Sequence, residues 1–95
     1  MRIQITNSEI AFAVEEIQSW LWMRIKEKGR GSFTSIHEAR GAIDEEFFEL
    51  REAFGGKEKV EIIHELKDVI VSSIFALACL RAGHLQVYST CIIEN

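Results

Sequence analysis

Proline is absent from all 95 residues, and there is no internal repeat or low-complexity tract. With 47% of the residues hydrophobic and 27% charged, this excludes a fibrous or disordered chain and describes a compact soluble protein. Basic residues are scarce: 11 Lys and Arg stand against 15 Asp and Glu, for a net charge of −4. A sequence-independent nucleic-acid binder needs the opposite surplus to displace counterions from phosphates. Nucleic acid is therefore not an expected partner, and an anionic ligand would need a bridging cation. Cysteine is limited to Cys79 and Cys91, both in apolar surroundings and without CxxC or Cys/His metal spacing. They read as reduced thiols of a cytoplasmic protein. The opening MRIQITNSEI has one basic residue and no apolar stretch, so no secretory signal is read. Long apolar runs are also missing. The longest, Val69 to Leu80, has 12 residues including two serines, short of the roughly 18 to 20 that a membrane span needs, and reads as a buried core helix.

A chain of this length hides only about 60 to 70% of its unfolded surface, near the lower limit for a self-sufficient core. One domain over residues 1–95, completed by a partner subunit, is expected. TNSE, Thr6 to Glu9, has the form of a capping box, and Ile10, Val14, Ile17, Leu21 and Ile25 follow at helical spacing, predicting a helix to about Lys28. KGRGS ends it, SIHE supplies a second box, and a second helix is predicted from about Ile36 to Phe54. Gly55 and Gly56 break that helix. A third runs from near Lys57 to Arg81, with Gly83 as a left-handed cap. Residues 84–95 fit either a short fourth helix or a strand-like arm. The expected fold class is all-α: an antiparallel, up-and-down bundle of three main helices with a short C-terminal fourth segment.

The second helix crowds five carboxylates into the nine residues from Asp44 to Glu52. Ile43, Phe47, Leu50 and Phe54 form its expected core stripe, with Glu46 beside it, Glu49 one turn on, and Glu45 and Glu52 further towards solvent. On the third helix, Glu61, Glu65, Asp68 and Ser72 lie at i, i+4, i+7 and i+11, a single polar line on an otherwise apolar helix. Charge at helical spacing usually marks a solvated face. Here the apolar surroundings argue against that reading, because buried carboxylates repel each other and lose hydration, at a cost of several kcal/mol per ion unless a counter-charge is supplied. Arg40 and Arg51 can pair some of these acids but not all. A hard divalent cation such as Mg²⁺ or Mn²⁺ would balance the rest.

Glu45-Glu46-Phe47-Phe48-Glu49, a spacer of fifteen residues and then Glu65-Leu66-Lys67-Asp68 resembles the EExxE and ExxD signature of MazG-like all-α nucleotide pyrophosphohydrolases. The resemblance extends over roughly Ile36 to Leu85, including the RAGHL step. It implies a homodimer or a dimer of dimers (a homotetramer) that hydrolyses nucleoside triphosphates, including dNTPs or modified nucleotides, to monophosphate and pyrophosphate with Mg²⁺ or Mn²⁺, a house-cleaning activity. It also implies Glu46, Glu49, Glu65 and Asp68 as metal ligands, and Glu45 and Glu46 as catalytic acids, with Glu45 orienting or deprotonating the attacking water. Family members continue past the glycine step into a helix whose lysine and asparagine hold phosphates. That lysine would fall near Ile93, where the chain is ending, so Lys57, Lys59, Arg40 or Arg30 would have to replace it.

Trp22, off the apolar stripe of the first helix, reads as an interface residue or as a platform for a nucleotide base, and Phe12 could line a pocket. Trp20 reads as core. Ser72 and Ser73 lack a partnered histidine and read as packing residues. Glu61 and His64 form an ExxH pair, which raises a di-iron carboxylate protein, but such sites use that pair on two helices and only one is present. His64 is expected on the apolar side. His37 is expected in solvent, and His84 near a helix C-terminus. The reading that competes with the enzyme is a non-catalytic helical interaction module that has lost part of its phosphate-binding site. Metal-dependent pyrophosphate release separates the two.

Overall fold

The computed structural model describes residues 1–85. The expected fourth segment, with Cys91 and Ile93, lies outside the described residues. Those described are all-helical, with α1 at Asn7–Lys28, α2 at Ile36–Phe54 and α3 at Lys59–Arg81, and no strand among them. Residues 1–30 and the residues from Gly31 onward form separate compact units. Among the described residues, no helix is long and apolar enough to cross a membrane.

The first unit is α1. Its start is fixed by a complete capping box: the Glu9 amide donates to Thr6 Oγ1 at 3.1 Å, and the Thr6 amide donates to Glu9 Oε1 at 2.9 Å. These hydrogen bonds from Thr6 favour the ionised carboxylate and hold Glu9 below the ordinary carboxylate range. At the other end, Gly29 adopts a φ of 89°, and its amide closes on the Ile25 carbonyl. No residue of α1 is buried. Trp20, expected in a core, is half-buried with the Arg24 guanidinium 5.9 Å from its ring centre, and the exposed Trp22 carries Arg30 at 5.7 Å.

The second unit is built on the α2–α3 hairpin. Ser35 caps α2 by accepting from the Glu38 amide at 3.1 Å. The Glu38 carboxylate does not complete the box on Ser35. It reaches one residue further back, to the Thr34 amide at 2.6 Å and the Thr34 hydroxyl at 3.0 Å. α2 ends at the glycine pair, where the Lys57 amide donates to the Ala53 carbonyl at 2.9 Å, and α3 starts two residues later than the sequence suggests. α3 ends in a Schellman motif, with the His84 amide on the Cys79 carbonyl at 3.0 Å and the Gly83 amide on Leu80 at 3.1 Å. Gly83 has the left-handed φ of 81° that this motif requires.

The core sits at one end of the hairpin. Ala39, near the start of α2, is buried together with Ala76, Cys79 and Leu85, and Phe33, Ile36, Ile43 and Phe75 pack around them. The rings of Phe33 and Phe75 meet edge to face, with centroids 5.5 Å apart. Because the first turn of α2 packs against the end of α3, the two helices run antiparallel. The stripe expected on α2 requires a correction. Leu50 is buried, but Phe47 and Phe54 are 49% and 61% exposed, and the buried positions are Ala39, Leu50 and Ala53. The line facing α3 is thus Ala39, Ile43, Glu46, Leu50 and Ala53, at i, i+4, i+7, i+11 and i+14. α3 is not enclosed all round either, since Ile70, Ile74, Leu77 and Leu80 are exposed.

Gly83→Ala places a Cβ at a φ that side chains avoid, and is expected to lower stability by about 1 kcal/mol. Gly56, outside that region of φ and with open space around it, is the control. Gly56→Ala leaves stability unchanged or raises it by up to about 1 kcal/mol. Urea midpoints followed by circular dichroism check the pair.

Candidate functional site

Glu46 occupies a core-facing position of α2 and is half-buried, whereas Glu49, one turn on, is exposed at the edge of the seam. From α3, Glu65 is half-buried and Asp68 is buried, only 6% exposed. The antiparallel pairing that joins Ala39 to Cys79 brings these four acids to the middle of the hairpin. Glu46, Glu49 and Glu65 each offer an oxygen within 4.8 Å of the others, and Glu65, Asp68 and His64 form a second such group. Glu65 belongs to both, so all four acids expected to ligate metal meet through it.

The second group corrects an expectation. His64 does not turn to the apolar side: it is 49% exposed, and its Nε2 lies 3.3 Å from Asp68 Oδ2. The i, i+4 spacing of His64 and Asp68 contains that contact, because residues four apart share a helix face. Next to the acids, towards the glycine turn, opens a cleft of about 520 Å³ lined by Glu49, Glu52, Ala53, Lys57, Val60, Glu61, His64 and Glu65. Lys57 is therefore brought to the site. Lys59 is exposed and does not line the cleft. Arg40 is exposed and pairs with Asp44 at 3.7 Å, and the Arg51 guanidinium lies 5.7 Å from the centre of the Phe47 ring. Glu45 is exposed and belongs to neither of these two groups. Trp22 belongs to the first unit. Ser73, exposed, donates to the carbonyl of Val69 at 2.8 Å within its own helix, as a packing serine does.

Electrostatically the site is under strain. Burial raises the Glu65 carboxyl above its ordinary range, and the charges of Glu49 and Asp68 push it in the same direction, while His64 and Lys57 oppose them more weakly. Glu65 Oε1 is buried without a hydrogen-bond partner. A buried oxygen of this kind costs about 1 to 3 kcal/mol unless something fills its valence. The donor set, three glutamates and one aspartate with an adjacent imidazole, suits a hard divalent ion, which prefers carboxylate oxygens and retains open positions for water and phosphate. The residues present thus fit a Mg²⁺ or Mn²⁺ ion.

No protein-family model, curated protein or solved structure matches the chain.

The raised carboxyl gives a pH dependence with a definite sign. Since folded Glu65 holds its proton more tightly than unfolded Glu65, its contribution to stability is complete below the unfolded value and is lost as pH rises through the folded one. Without divalent ions, Glu65→Gln should melt increasingly above the wild type as pH rises from the ordinary carboxylate range through the raised range of folded Glu65. A gap in melting temperature that stays flat or narrows over that range contradicts the assignment.

Proposed function

We propose that the protein is a Mg²⁺-dependent nucleotide pyrophosphohydrolase of the MazG-like all-α kind, with Mn²⁺ as an alternative ion. It would convert nucleoside triphosphates, dNTPs or modified nucleotides among them, to monophosphate and pyrophosphate. One observation carries the reading: Glu65 Oε1 is buried without a hydrogen bond inside a seam that also holds Glu46, Glu49 and Asp68. A protein that folds carboxylates together in this way gains nothing in stability from it unless a cation is bound.

In this reading Glu46, Glu49, Glu65 and Asp68 would hold the ion, and His64, with Nε2 3.3 Å from Asp68 Oδ2, orients Asp68. When bound, the ion supplies neutralisation of phosphate charge and a lowered pKa for the attacking water. The water oxygen bonds to the α-phosphorus as the bond to the bridging oxygen breaks, and pyrophosphate leaves with that oxygen. Glu45, next to the ligand Glu46 in sequence and open to solvent, orients the water and takes its proton. The α2–α3 seam closes the inner side of the acids with apolar side chains, so that their field acts on ligand rather than on bulk water.

A homodimer or homotetramer is part of the same proposal. Leu66, Ile70, Ile74, Leu77 and Leu80 form an exposed apolar line along α3. Such a stripe is suited to a neighbouring subunit.

Release of pyrophosphate from a panel of dNTPs tests the reading. Activity is expected only with Mg²⁺ or Mn²⁺, and Glu49→Gln is expected to reduce it about a hundredfold or more, as loss of an ion ligand should. Glu45→Gln should lower kcat while Mn²⁺ binding persists. Wild-type protein that is inert with every ion and nucleotide returns the chain to the non-catalytic interaction module.

A further inference from the structure

We propose that Lys57 holds the phosphate end remote from the ion, so that a polyphosphate chain lies in the cleft with one end at the acidic cluster and the other at the α2–α3 turn. This rests on the metal reading above and adds to it a direction and a residue. The cleft is lined by four carboxylates, Glu49, Glu52, Glu61 and Glu65, against the half-exposed imidazole of His64 and one lysine. Left to those acids, a triphosphate would be repelled along its whole length. A divalent ion at Glu46, Glu49, Glu65 and Asp68 offsets that repulsion at one end only. Lys57 is the one Lys or Arg among the described residues that lines the cleft, and it stands beyond the end of α2, away from Asp68 and the apolar core.

Three other cations on α2 and α3 are placed differently. Arg40 answers Asp44, Arg51 lies over Phe47, and Lys59 stands outside the cleft. The backbone of Lys57 is fixed, its amide donating to Ala53 at 2.9 Å across the glycine turn. A compact ammonium on a flexible stem can then follow a phosphate along the cleft.

A rival role for Lys57 is structural, as a counter-charge whose only task is to ease the ionisation of Glu65. The two roles separate by what each leaves intact. Titration calorimetry of the full chain with inorganic tripolyphosphate in the presence of Mn²⁺, alongside Mn²⁺ alone, provides the readout. For Lys57→Met, tripolyphosphate affinity should fall about tenfold with Mn²⁺ affinity within about twofold of wild type, since one charge-assisted contact has been removed. Lys57→Arg should restore most of the loss. With a nucleoside triphosphate, KM should rise about tenfold while kcat changes by less than about threefold, the pattern of an interaction shared by ground and transition states. Equal tripolyphosphate affinity in Lys57→Met and wild type, with Mn²⁺ bound to both, overturns the role of Lys57 and leaves the metal site standing. So does an equal loss of Mn²⁺ and tripolyphosphate binding, which marks the structural role. Absence of Mn²⁺ binding by the wild-type chain overturns the metal reading itself, and this inference with it.

Discussion

Mutual repulsion among the carboxylates of Glu46, Glu49, Glu65 and Asp68 is the constraint around which the α2–α3 hairpin is arranged. Each would be better solvated alone on an outer helix face, and bringing them together removes water and adds like charge. The hairpin can do so because it is fastened on both sides of them. On one side lies the apolar cluster of Ala39, Ala76, Cys79 and Leu85, with Phe33 and Phe75 edge to face against it. On the other, the chain reverses in a short turn tied by amides donating to Ala53 and Glu52. Between two fixed points the helices cannot splay, and the acids cannot drift apart into solvent without breaking one of them.

The identity of the packed residues matters as much as their apolarity. The buried positions of α2 other than Leu50 are Ala39 and Ala53, and Ala76 is buried on α3. Small side chains at such positions let helix axes approach towards the short end of the usual 8 to 10 Å range. Small residues in the seam are consistent with oxygens from α2 and α3 lying within 4.8 Å of each other. Larger side chains there would strengthen hydrophobic burial and at the same time widen the gap between Glu46 and Glu65. The weak, small-residue seam and the tight acid cluster therefore share one cause.

Helix identity and most helix ends were legible in the residues themselves, because caps are local chemistry: Thr6 with Glu9, Ser35 with the Glu38 amide, and Gly83 in the left-handed region all act within a few residues. The grouping of Glu46, Glu49, Glu65 and Asp68 followed from helical spacing on two consecutive helices joined by a short turn. Side-chain size obscures the rest. Phe47 and Phe54 outweigh Ala39 and Ala53 in any apolar pattern, whereas the contact line runs through the alanines and includes Glu46. The face of His64 is likewise set by Asp68 four residues on and not by its apolar neighbours. The selection of Lys57 over Lys59 and Arg40 was beyond reach, because it depends on where the turn directs a flexible side chain.

Glu65 is where a proton and the proposed cation would compete. Its buried oxygen, without a hydrogen-bond partner, can be satisfied by a proton or by a cation, and the two exclude one another. With a proton, one charge in the cluster disappears, repulsion with Glu49 and Asp68 falls, and the hairpin keeps its geometry without an ion. With the proposed cation, repulsion among the carboxylates would become attraction to a shared centre. Under the proposed function the ion would have to bind before an anionic ligand, because an acidic cleft without its ion repels phosphate along nearly its whole wall.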